Sequence, residues 1–141
     1  AALTPLLEDG FSTVVAGDLF LDDVRAYREA LIESVGATAL FPLWGRDTTW
    51  LAQRFSTRGY RAVVTAVDTT QLDSSFVGRT YDDSFLEDLP DAVDPCGEKG
   101  AFHTFVSDGP PFAASVPVAE TGRDTTGRIH TVRLRATGEE A

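Results

Sequence analysis

Apolar residues along this chain come in short blocks separated by polar, glycine-marked stretches, and the spacing inside each block predicts an element. Leu3 to Asp9 reads as a short helix, with Thr4 at its N-cap, Pro5 in its first turn and Gly10 as its stop. Phe11 to Gly17 (FSTVVAG) reads as a short strand of the buried type. Asp22 or Asp23 caps a helix whose Val24, Tyr27, Leu31 and Val35 share one face, ending at Gly36. Thr38 to Trp44 (TALFPLW) is the next strand, in which Pro42 forces a break or an edge position. Asp47 then caps a helix carrying Trp50, Leu51 and Phe55 and stopped by Gly59, and Tyr60 to Asp68 (YRAVVTAVD) is a third strand. Strand, helix, strand, helix, strand implies a parallel sheet with helical crossovers.

The texture changes after Asp68. Leu72 to Gly78 and Tyr81 to Leu89 are helical candidates, and Pro90 to Gly100 is a turn-rich connection. Ala101 to Ser107, Ser115 to Glu120 and Ile129 to Arg135 read as strands, with a polar turn from Thr121 to Gly127 before the last. The expected class is therefore α/β, an incomplete parallel sheet followed by a smaller α+β portion. A boundary falls near Trp44 to Asp47, which gives domains 1–46 and 47–141. There is no internal repeat and no low-complexity tract.

Composition narrows the functions. A chain of 141 residues, 43% of them hydrophobic, can bury roughly two-thirds of its unfolded surface in one ordinary core. Its 22 acidic residues against 12 basic ones give a formal net charge of -10, which repels a nucleic-acid backbone or an anionic membrane. No apolar run approaches the roughly 20 residues of a membrane span, and no signal-peptide pattern is present. The single cysteine, Cys96, excludes an internal disulfide framework and a multi-cysteine zinc site. A soluble, cytoplasmic protein without a nucleic-acid or membrane partner is the expectation. The chain has no methionine and opens Ala1-Ala2. Removal of an initiator accounts for that, and so does a chain that begins inside a larger protein.

Several segments can carry chemistry. Gly17-Asp18 lies where a strand ends and a helix begins, the place where open α/β sheets bind ligands and where helix N-termini favour anions. An ordinary turn has the same composition. Arg25 and Glu29 are spaced for a surface ion pair on the following helix. Trp44-Gly45-Arg46-Asp47 puts an always-charged bidentate donor at a strand end beside a glycine, which suits a phosphate or carboxylate, while a local salt bridge from Arg46 to Asp47 is the plain alternative. Cys96-Gly97-Glu98-Lys99-Gly100-Ala101-Phe102-His103-Thr104 sets glycines around a carboxylate and sends Phe102 and His103 to opposite sheet faces. Glu98 and His103 can act as acid, base or orienting groups, and a lone strand histidine is also a common structural residue. Cys96 reads as a structural thiol, and Asp108-Gly109-Pro110-Pro111 as a turn. Spacing marks no metal site and no Ser-His-Asp order.

At these same segments the chain resembles a known family. GDLFLDDVRAYRE, LFPLWGRDTTWLA, YRAVVTAVD, LDSSFVGR and above all DPCGEKGAFHTFVSDGPPF are similar, in order and spacing, to the PP-loop ATP pyrophosphatases that include diphthine-ammonia ligase and its bacterial homologues. The resemblance runs from about Leu3 to Leu134. It implies a Rossmann-like sheet of the HUP type, adenine nucleotide alpha hydrolase-like, and an ATP-dependent, magnesium-requiring amide ligase. A substrate carboxylate attacks the α-phosphorus of ATP, pyrophosphate leaves, and ammonia displaces AMP from the acyl-adenylate. In diphthamide synthesis the carboxylate belongs to a modified histidine of elongation factor 2.

The family grips pyrophosphate with an N-terminal Ser-Gly-Gly-x-Asp-Ser loop, and these 141 residues contain none. The resemblance is therefore to the C-terminal part of the family, the remainder of a nucleotide-binding domain and then a substrate-binding domain. Matching residues are Gly17, Asp18, Arg25 and Glu29, then Trp44, Gly45, Arg46 and Asp47, then Gly97, Glu98, Gly100, His103, Thr104, Asp108 and Pro110. Glu98 and His103 are the catalytic candidates, and the others are nucleotide- or substrate-side contacts. Lys99 stands where the family usually has Asn or Gly, and Ala101 where it has Glu, which removes a pocket carboxylate if position 101 faces the site. Tyr27 replaces a second arginine of the diphthamide enzymes, so the chain looks closer to the bacterial branch. The leading expectation is an amide-ligase part, inactive alone, that needs a PP-loop-bearing N-terminal half or self-association and takes a small-molecule or protein carboxylate. The alternative is a free-standing module that binds AMP or a carboxylate without catalysis, and a third is a degenerate pocket.

Overall fold

A computed structural model describes residues 3–138, and the chain divides into two compact units, 1–47 and 48–141. The fold is mixed α/β, with a small parallel sheet in the first unit and an antiparallel sheet in the second. Among the described residues no helix is long and apolar enough to cross a membrane.

The first unit runs α1 (Thr4–Glu8), β1 (Thr13–Val15), α2 (Asp22–Glu33) and β2 (Thr38–Leu40). Leu3, not Thr4, is the N-cap of α1, and Gly10 ends it with a left-handed φ of 93°. Strands β1 and β2 pair in parallel through Thr13–Thr38, Val14–Ala39 and Val15–Leu40, with α2 as the crossover. Both strands are shorter than their apolar blocks. Pro42 falls in the turn after β2, because it has no N–H for a parallel ladder. Leu21 is the N-cap of α2 and makes no side-chain cap bond, so Asp22 and Asp23 lie in the first turn, where their charge favours the positive end of the helix dipole.

Two expectations about this unit fail for one reason. The expected face of Val24, Tyr27, Leu31 and Val35 is not the one that packs, since Tyr27 is 69% exposed and Leu31 48%, while Ile32 is buried. Strand β1 is likewise not of the buried type, since Val15 is 64% exposed beside the exposed Leu40. A sheet of two strands offers α2 too narrow a floor to bury every apolar residue along its length.

The second unit is the larger, as the expected bounds 1–46 and 47–141 already imply, so the α+β portion is not the smaller one. It begins with α3 (Thr48–Thr57) and β3 (Arg61–Asp68), followed by a 3-10 turn at Ser74–Phe76, α4 (Asp83–Asp88) and a second 3-10 turn at Glu98–Gly100. Strands β4 (Phe102–Asp108), β5 (Val118–Asp124) and β6 (Ile129–Ala136) complete it. The strand order is β4-β3-β6-β5, antiparallel throughout. The third strand of the expected parallel series therefore belongs to a different sheet. Its pattern could not reveal this, because β3 is nearly continuous in apolar residues whichever direction its partners run. Strand β5 begins and ends later than its block, so the polar run Thr121 to Asp124 is strand rather than turn. Paired at the edge of the sheet with β6, it needs no apolar face of its own.

Strand β3 supplies Ala62, Val64 and Val67 to the core, where Phe76, Tyr81, Phe85 and Phe102 close around them. The rings meet edge-on or tilted, with Phe85 5.2 Å from Phe102 and 5.5 Å from Phe76, separations at which aromatic pairs attract beyond their buried area. From α3 it is Ala52 that is buried and Phe55 that packs beside it, stacked 4.7 Å from Tyr60. Trp50 of the same helix is 48% exposed under the guanidinium of Arg54. Asp82 caps α4 by accepting from the Phe85 N–H at 2.9 Å.

Candidate functional site

In the first unit the segments after β1 and β2 leave the sheet at the same end, the carboxyl end at which parallel sheets hold ligands. The Gly45 N–H donates to the Leu19 carbonyl at 2.8 Å and joins the two segments. Helix α2 projects two arginines beside them. Arg25 donates from Nε to Glu29 at 3.0 Å, the expected pair, and its guanidinium also lies 4.8 Å from the Phe41 ring and 4.6 Å from the Trp44 ring. Those rings stand edge to face at 72°. Arg28 pairs with Asp18 at 2.7 Å, so the acid of the first loop is neutralised by the helix that follows it.

The structure thus gathers Asp18, Arg25, Glu29, Trp44 and Gly45 into one region. Gly45 needs its glycine, with φ of 72°. Gly17 does not, for its φ is ordinary and a Cβ there would meet nothing within 4 Å. Arg46 is exposed just beyond Gly45, and Asp47 ends the unit.

In the second unit the loop from Asp94 to Gly100 is organised by one carboxylate. Asp94 Oδ2 accepts from the Cys96 N–H at 3.0 Å and the Glu98 N–H at 3.1 Å. Gly97 then turns left-handed at φ 75°, and a Cβ on it would come within 2.8 Å of the Phe102 carbonyl oxygen. Lys99 is also left-handed, at φ 66°, and is the one non-glycine residue with positive φ among those described. Gly100, at φ 75°, faces open space. Tyr81 Oη donates to the Pro95 carbonyl at 2.6 Å, and burial, with Cys96 and Asp94 adding to it, raises its phenol above the ordinary value. The Cys96 thiol donates to the Thr48 carbonyl at 3.3 Å. Glu98 is half-buried at the crest of this loop.

A network centred on one buried carboxylate holds the base of the same loop. Asp68, 2% exposed at the end of β3, accepts from Arg128 Nε at 2.9 Å and Nη2 at 2.5 Å, from Thr70 N at 3.0 Å and from Thr70 Oγ1 at 2.7 Å. Gln71 Nε2 donates to Asp68 at 2.9 Å and to the Lys99 carbonyl at 3.3 Å. Arg128 first, then Gln71 and Thr70, hold the Asp68 carboxyl well below the usual range. Ala101 is buried at 2% exposure, and its carbonyl accepts from the Asp68 N–H. Position 101 therefore faces the core rather than an open pocket.

Past this loop, His103 is exposed on β4 opposite Ala66, which in turn stands opposite Thr131 of β6, so the three form one row on a sheet face. Thr104 is exposed opposite Val64. Asp108 lies at the far end of β4, about 16 Å along the strand from His103, and accepts from the Gly109 N–H at 2.8 Å. The structure places Gly97, Glu98 and Gly100 in one turn at the start of the strand that carries His103, and sets Asp108 apart from them.

Four participants escaped the reading of the sequence: Phe41, Arg28, Asp94 and the Asp68 network. Asp94 alone had a local signal, since an aspartate followed by Pro and then Gly three residues on is an Asx-turn pattern. The partners of Asp68 lie up to sixty residues away.

A family model described as the diphthamide synthase C-terminal domain matches residues 47–134. The chain belongs to that family. The match covers the Asp94 to Gly100 loop, the Asp68 network and strands β3 to β5 with most of β6, and leaves Gly17 to Arg46 outside it. No curated protein matches the chain.

Proposed function

We propose that this chain provides the substrate side of an ATP-dependent amide ligase of the diphthine-ammonia ligase type. The observation that carries this reading is the family match over residues 47–134, within which lies a loop that holds Glu98 by its own backbone. In the reaction a substrate carboxylate attacks the α-phosphorus of ATP, expelling pyrophosphate, and ammonia displaces AMP from the acyl-adenylate with loss of a proton. Glu98 and His103 are the residues to orient the acyl group and accept that proton. Gly97, Gly100 and Thr104 are the backbone and hydroxyl contacts beside them, and Asp108 is the most distant candidate.

The first unit takes the nucleotide side, as the carboxyl end of a HUP-type sheet. Its groups suit a nucleotide: flat rings at Phe41 and Trp44, cations at Arg25 and Arg46, and the loop backbone at Gly17. The glycine at position 17, which the fold itself does not require, leaves room for a close ligand approach. ATP with its magnesium is the cofactor of the complete reaction. These 141 residues contain no pyrophosphate-gripping loop, so the complete reaction needs a PP-loop-bearing N-terminal half, in the same polypeptide or another, or self-association, and the setting is the cytoplasm.

The test is release of AMP and pyrophosphate from ATP. None is expected with this chain alone, and activity is expected once a PP-loop-bearing N-terminal half of a family member is added. Failure of every such half to bind or to restore turnover overturns the reading. A second reading, a module that binds AMP or a carboxylate without catalysis, is favoured by the stacked Arg25 in the first unit, and micromolar AMP binding by calorimetry without any partner would select it.

A further inference from the structure

A cavity of about 600 Å³ opens in the second unit between α3, α4 and the connection that runs from Leu89 to Pro95. This is the size of a small-molecule site, which ranges over roughly 300–1,000 Å³. Its apolar lining is Ala52, Leu86, Leu89 and Val93 with the two prolines 90 and 95, of which Ala52 and Val93 are buried, and Thr49, Gln53 and Thr57 of α3 add uncharged polar groups. Its rim is acidic, with Asp83, Glu87 and Asp91, and neither Lys nor Arg lines it.

Two cations close to the cavity in sequence are engaged elsewhere. Arg54 stacks over Trp50 at 5.4 Å, and Arg79 pairs with Asp88 at 2.8 Å. Asp83 and Glu87 stand four apart on α4, a like-charge spacing that destabilises a helix by a few tenths of a kcal/mol when nothing compensates it. Asp83 accepts from Ser56 Oγ at 2.6 Å, which fixes one carboxylate at the rim, while Glu87 and Asp91 are exposed. Three carboxylates in a chain of net charge -10 repel phosphates and carboxylates. A mostly apolar, otherwise uncharged lining with a negative rim instead complements a cation carried on a hydrocarbon body, whose stem displaces water from Ala52, Leu86 and Val93 while its head remains at the rim.

We propose that this cavity binds a small molecule bearing an ammonium group on a hydrocarbon body. The site lies wholly in the second unit and uses none of the residues assigned to the nucleotide or the acyl group. It therefore goes beyond the amide-ligase reading, and neither depends on the other.

The test is an amide chemical-shift titration of the full chain with n-hexylammonium, 1-hexanol and hexanoate, run without ATP. Saturable shifts centred on Ala52, Leu86 and Val93 are expected with hexylammonium, with hexanol about tenfold weaker and hexanoate without effect. Glu87→Gln combined with Asp91→Asn should weaken hexylammonium about tenfold and leave hexanol unchanged. Should that pair of changes unfold the chain, Asp91→Asn alone, on the exposed connection, reads the same loss in smaller degree. Equal binding of the three probes, shifts scattered over the surface, or unchanged hexylammonium affinity in the neutralised variant each overturn the proposal. Tighter binding of the peptide Gly-Gly-Lys-Gly-Gly than of hexylammonium also overturns it, since the site would then take a protein side chain.

Discussion

Arg128 grips Asp68 with two near-parallel hydrogen bonds, Nε to Oδ1 at 2.9 Å and Nη2 to Oδ2 at 2.5 Å, although the carboxylate is buried and the arginine stands largely in solvent. The pair ties the start of β6 to the end of β3, and Gln71 extends the tie to the loop carrying Glu98. Removing the acid leaves an exposed cation that water can satisfy, whereas removing the arginine leaves a buried anion supported by Thr70 and Gln71.

Asp68→Asn should lower the denaturant midpoint and alter the pH dependence of stability. The folded carboxyl titrates well below its unfolded value, so its contribution is whole above about pH 4, the ordinary aspartate value, and drains away as the pH falls toward the folded value. Urea melts at pH 7 and pH 3 should show wild type and Asp68→Asn converging at the lower pH. A constant gap between them would mean that the pair adds no acid-sensitive stability.

Gly97→Ala should destabilise by about 2 kcal/mol or more, since the left-handed backbone and the approach to the Phe102 carbonyl both penalise a Cβ. Thermal melting reads the loss. Gly100→Ala, with the same sign of φ and open space around it, should cost less.

Lys99 makes the opposite prediction. Its φ of 66° is the conformation that Gly and Asn tolerate and that a lysine adopts only at a cost. Lys99→Gly or Lys99→Asn should raise stability by about 0.5–1 kcal/mol, visible as a higher melting temperature.

Trp44→Ala should weaken AMP binding about tenfold by calorimetry if the first unit takes the nucleotide. Arg25→Lys should lose nearly as much, because an ammonium cannot lie flat against Phe41 and Trp44 as a guanidinium does. Unchanged affinity in both would assign the stacked arginine to folding alone.

The positions of the elements were largely legible, since α1, α2, α3, β3, β4 and β6 all fall within two residues of their apolar blocks. Caps and faces were less so. Asp22 and Asp23 lost the cap to Leu21 because a cap is decided by backbone angles at one residue, which composition does not encode. Tyr27 and Trp50 lie outward because packing on the described floor favours Ile32 and Ala52. Among the candidate residues, the grouping of Arg25 with Trp44 joins two motifs that the sequence keeps nineteen positions apart.

The order of residues alone determined where glycine turns, aromatic blocks and the Cys96 to Pro110 motif fall, and through them the family. Local spacing encodes each of these, whether as φ preference, side-chain period or motif. Only the tertiary structure decided that β3 joins an antiparallel sheet, that Asp68 is buried against Arg128 and that Ala101 faces the core. Strand direction, burial and long-range pairing depend on which distant segments share a surface, and two segments sixty residues apart carry no local mark of meeting.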